Sequence, residues 1–103
     1  MTGRDPILNR RIATILINQM EEFKQMLTSF EENELSNIEF TMHKIRPSLL
    51  IFEMDTIIKH YSEMMEIWQK NGQSVEMSTQ KEMVIQDLDL GITHLKTFLS
   101  IIP

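Results

Sequence analysis

Between residues 39 and 50 the chain reads EFTMHKIRPSLL, and several of these side chains together could handle a phosphoryl group. His43 offers an imidazole, a ring that near neutral pH is in large part unprotonated and nucleophilic. Arg46 follows one helical turn later, where a guanidinium can offset the charge of about −2 that a phosphoryl group brings. Lys44 adds a second cation that points farther round the helix. Glu39, one turn before His43, is spaced to orient the imidazole or to favour its charged form. Phe40, Pro47 and Leu50 share the face of His43 if the helix is continuous. Apolar groups gathered around one exposed histidine point to a docking surface, unless helix 1 or an N-terminal segment folds over that face.

The face assignment follows from helical arithmetic. The segment's apolar stripe is Leu35, Ile38, Met42, Ile45, Leu49 and Phe52. At about 100° per residue these six cluster within about 100° of arc, and His43 lies roughly 130° from their centre. His43 is therefore expected in solvent. Pro47 lacks the N–H that would bond the His43 carbonyl, and its ring presses on the same turn. A kink or local widening at the histidine is the expected consequence.

Four helices are expected to position these groups. Asp5 and Pro6 read as an N-cap and first-turn proline. From there Leu8, Ile12, Ile15, Leu16, Met20, Phe23, Leu27 and Phe30 recur every three or four residues, up to the polar Glu31-Glu32-Asn33-Glu34. Asn33 can cap the second helix. A third starts near Asp55 with Ile57, Ile58, Tyr61, Met64, Met65 and Trp68, and Asn71-Gly72 supplies a left-handed stop. Thr79 with Glu82 forms a capping-box pattern that opens a fourth, striped by Ile85, Leu88, Ile92, Leu95, Leu99 and Ile102. Gly91 inside it weakens the helix slightly and permits close packing. No segment alternates like a half-buried strand. The fold class is all-α, an antiparallel four-helix bundle in up-down-up-down order, a single domain over residues 1–103 with residues 1–5 flexible. The nine methionines serve as adaptable core filler.

Composition narrows the partners. The formal net charge is −5, and a nucleic-acid binder would need a cationic footprint. No apolar run approaches the roughly 18 residues of a membrane span, and MTGRDPILNRR lacks the apolar segment of a secretory signal. A cytoplasmic monomer binding neither nucleic acid nor membrane is expected. Cysteine is absent, which removes disulfides and thiolate metal sites.

The run HKIRPS, an exposed histidine followed by a basic residue, a turn-tolerant residue and serine, resembles the signature of histidine-containing phosphotransfer (HPt) domains. The resemblance implies a four-helix bundle whose second helix presents the phosphorylated histidine. It assigns His43 as phosphoacceptor, with Arg46 where the family usually has a charge-neutralising lysine and Lys44 at a position that is often basic. Pro47 replaces the usual glycine, Ser48 agrees with the small residue that follows, and Glu53-Met54 replaces the usual Gly-Leu. Met65, beside Glu66, stands where the facing helix often supplies a glutamine or glutamate to the second ring nitrogen. The implied mechanism is a relay between response-regulator receiver domains or a hybrid sensor histidine kinase. A receiver docks over Phe40, Pro47 and Leu50 and its aspartyl phosphate passes in line to His43. The receiver brings Mg²⁺, and no cofactor or metal is expected in this chain.

Other classes make different demands. The histidine hairpin of sensor kinases also has an arginine three positions after its histidine, but its proline comes five positions on and an acidic residue follows the histidine. Here Pro47 comes at four, Lys44 follows, and no glycine-rich nucleotide segment exists, so the chain is not expected to be an enzyme that phosphorylates itself with ATP. An adaptor bundle would use the Phe40, Pro47 and Leu50 face without needing a nucleophile. His60 with Glu63 has metal-ligand spacing, yet two ligands make no site, and solvent-side polar positions beside the third stripe explain them better. His94 is expected on the solvent side of helix 4. Tyr61 and Trp68 read as core residues.

Overall fold

The computed structural model describes residues 6–29 and 35–101. The expectations for residues 1–5, Phe30, the acidic run with its Asn33 cap, and Ile102 lie outside the described residues. Among the described residues four α-helices form: α1 over Pro6–Thr28, α2 over Leu35–Ile51, α3 over Asp55–Asn71 and α4 over Val75–Ile101. They pack in a ring, α1 on α2, α2 on α3, α3 on α4 and α4 back on α1. This is the antiparallel, up-down-up-down bundle. The α1–α4 seam shows the antiparallel sense directly. Lys24 Nζ lies 2.7 Å from Asp89 Oδ1, and earlier on α1 Glu21 Oε1 lies 3.6 Å from Lys96 Nζ, farther along α4. The molecule measures 47 × 20 × 20 Å, set by the length of α4.

Each helix contributes its stripe to one apolar interior. Phe23, Met20, Ile38, Ile45, Leu49, Met64, Leu88 and Leu95 are all sealed from solvent, and Phe23 meets Tyr61 across the bundle with ring centroids 5.9 Å apart. Such burial removes apolar area from water at roughly 25 cal/mol per Å². Helix α1 departs from its expected stripe. Leu8 and Ile15 are exposed and Ile12 is half-buried, while Asn9, Ala13 and Ile17 are buried. The core-facing path is 9, 13, 16, 20, 23, 27, and its first turns carry an asparagine and an alanine. Choosing apolar residues by type therefore selected the flank of that path.

The helix ends also differ from expectation at one point. α4 starts at Val75, a turn before Thr79. Ser74 is its cap, because its Oγ accepts the Met77 N–H at 3.0 Å, while Thr79 Oγ1 donates back to the Val75 carbonyl from inside the helix. The stop at Gly72 is as expected. With φ 59 and ψ −142 it occupies a region that favours glycine, and its N–H bonds the Trp68 carbonyl at 2.8 Å.

The end of α2 is a Schellman motif. Met54 N–H reaches the Leu49 carbonyl at 2.8 Å, and Glu53 N–H reaches the Leu50 carbonyl at 3.1 Å. Glu53 takes the left-handed position at φ 58, where glycine would be unstrained. Gly91 permits close packing, as expected. A methyl group there would lie 2.6 Å from Met20 Cε and 3.4 Å from Ile57 Cδ1, so it would fit only if the flexible end of Met20 moved aside.

Candidate functional site on α2

Helix α2 buries Ile38, Thr41, Met42, Ile45 and Leu49. The opposite side carries Glu39, Phe40, His43, Lys44, Arg46, Pro47 and Leu50, and all seven are exposed. Phe40 is 68% and Leu50 53% accessible, so two large apolar side chains flank the histidine in water. The helix passes through Pro47 and continues to Ile51, so the proline does not end it. The segment is anchored from both sides. Thr41 Oγ1 donates to Met26 Sδ of α1 at 3.5 Å, and the Schellman turn ties its last turn to the start of α3.

Glu39 has an electrostatic neighbour on α3. The Tyr61 phenol is pushed up to about 12, first by burial and then by the negative charge of Glu39. Glu39 therefore lies close enough to the α2–α3 seam to act on a buried phenol there. Met65, expected opposite the imidazole, is half-buried against the core. Its thioether is only a weak acceptor for a ring N–H.

A second polar cluster lies between α3 and α4. His60 Nδ1 pairs with Asp87 Oδ2, and the His60 carbonyl accepts a bond from Gln80 Nε2 at 3.2 Å. The His60 and Asp87 side chains are about 20% exposed, so His60 is not the solvent-side residue expected beside Glu63. Its partner lies 27 residues away on another helix, and no local spacing could reveal it. His94 is exposed as expected, and Tyr61 and Trp68 are buried. Among the described residues no three acidic or histidine side chains converge as a metal site, and no helix is long and apolar enough to cross a membrane.

No protein-family model matches the chain, and no solved structure matches it. The chain is similar to part of a curated protein. Over 81 residues, 76% of this chain, it is 27% identical to an ATP-dependent RNA helicase, DBP9 of Candida albicans. The matched stretch spans 14% of the helicase's length.

Proposed function

We propose that the chain is a phosphorelay carrier of the HPt type. His43 accepts a phosphoryl group from the aspartyl phosphate of a receiver domain and passes it to another receiver. In the forward step an imidazole nitrogen attacks phosphorus, an N–P bond forms, and the acyl O–P bond breaks to leave the receiver's carboxylate. Arg46 and Lys44 offset the charge gained, while Phe40, Pro47 and Leu50 give the receiver an apolar seat. The bundle supplies position and electrostatics, and the Mg²⁺ belongs to the receiver.

One observation carries this reading: His43 is exposed on the same side of α2 as Arg46, between Phe40 and Leu50. The same exposed apolar pair also supports a second reading, an adaptor that binds a partner without chemistry. Incubation with a panel of receiver domains charged by labelled acetyl phosphate separates the two. The carrier acquires acid-labile, alkali-stable phosphate, and His43→Ala abolishes it. An adaptor binds receivers and remains unlabelled.

A further inference from the structure

The turn between α2 and α3 ends on a thioether whose surroundings differ from those of the other described methionines. Met20, Met42, Met64 and Met77 are buried, and Met83 projects from α4, 37% exposed. Met26 and Met65 are half-buried against the core. Met54 is also half-buried, but it lines a cleft of about 320 Å³ between the turn and α4. Phe52, Ile57, Leu90 and Gly91 share that lining with the polar Glu53, Thr56, Asp87 and His94, and Met54 continues into the adjoining hollow beside Phe98. Its sulfur packs where Gly91 leaves room: a methyl group at Gly91 would lie 3.3 Å from Met54 Sδ. Its backbone closes the Schellman turn through Leu49, and its carbonyl accepts the Ile57 N–H at 3.2 Å. One residue thus joins the last turn of α2, the first turn of α3 and the middle of α4.

We propose that Met54 is an oxidation-sensitive joint, converted to the sulfoxide by a hydroperoxide that enters this cleft. The thioether sulfur attacks the peroxide's terminal oxygen and the O–O bond breaks. The sulfur loses two electrons and keeps one oxygen, and the other leaves as water when the oxidant is hydrogen peroxide. The cleft supplies access to the sulfur, and the packing on Gly91 supplies the consequence. A sulfoxide oxygen is bulkier and more polar than a thioether, and where the sulfur packs on Gly91 beside Ile57 it replaces an apolar contact. Oxidation therefore pries the α2–α3 turn from α4. The device is independent of the phosphoryl chemistry at His43.

The test treats the full chain with hydrogen peroxide, locates the added oxygens by peptide mass spectrometry, and follows thermal unfolding. Met54→Leu keeps the volume and removes the chemistry while retaining every other methionine. The expected result is one added oxygen at Met54 and a fall in Tm of about 5 °C or more. Met54→Leu treated alike holds its Tm, and reduction by methionine sulfoxide reductase restores that of the parent. The proposal is overturned if Met54 stays unmodified while Met83 is fully oxidised. It is equally overturned if Met54 is oxidised with no change in Tm, or if Met54→Leu loses stability to the same extent.

Discussion

Among single residues, the exposed charged side chains of the α2 face should matter to chemistry rather than to folding. Arg46 is exposed, so its loss should leave folding intact and act on the chemistry. Replacement by alanine should slow transfer to His43 or shorten the phosphohistidine lifetime about tenfold, the worth of one charge-assisted contact. Unchanged transfer and decay rates would remove its role. Glu53 makes the opposite case, because it works against the fold. It holds φ 58 at the left-handed position of the Schellman turn, which costs an L-residue about 1–2 kcal/mol. Glu53→Gly should therefore stabilise the bundle by about 1 kcal/mol, seen as a rise in denaturation midpoint at constant m-value. A lower midpoint would show that the glutamate side chain contributes more than its backbone loses. The exposed face was legible because helical arithmetic needs only spacing, and His43, Arg46, Phe40 and Leu50 are exposed as their angular positions require. The left-handed glutamate was not, because glycine normally marks such a position.

At the element scale, the second, third and fourth stripes were readable from their spacing of three and four. The first turns of α1 were not, since a small and a polar residue, Ala13 and Asn9, occupy its buried path. The start of α4 was misplaced for a related reason. Ser74 and Thr79 both precede plausible helical turns, and only Ser74 accepts the N–H that makes a cap. Nor could sequence spacing reveal the His60–Asp87 pair, which depends on how α3 and α4 align. At Gly91 the neighbouring elements approach closely. Gly91→Leu should destabilise by about 1–3 kcal/mol, because Met20, Met54 and Ile57 already occupy the space a side chain would need. Chemical denaturation would reveal this, and an unchanged midpoint would mean that the three helices can separate at no cost.

At the scale of the whole molecule, the ring order explains why α2 can carry an exposed site. Its packing surfaces go to α1 and α3, and its outward face is left to solvent. The same packing seals Tyr61 between α3 and the interior, with a consequence for pH dependence. Its folded pKa, about 12, lies above the ordinary value of 10.0, so the folded state holds the phenolic proton more tightly than the unfolded chain. This stability is fully present below pH 10 and is lost as pH rises toward 12. Tyr61→Phe should flatten that part of the stability profile, as measured by denaturant unfolding at stepped pH. A parallel decline in the two proteins would place the alkaline sensitivity elsewhere.

In the proposed relay the imidazole at position 43 accepts a phosphoryl group. This step is tested most directly by offering the purified protein to receiver domains carrying labelled aspartyl phosphate. The expected result is label on His43 that survives alkali and is lost in acid, and none on His43→Ala with an unchanged Tm. A parent protein that binds a charged receiver yet takes no label would contradict it, as would label that persists after His43 is replaced.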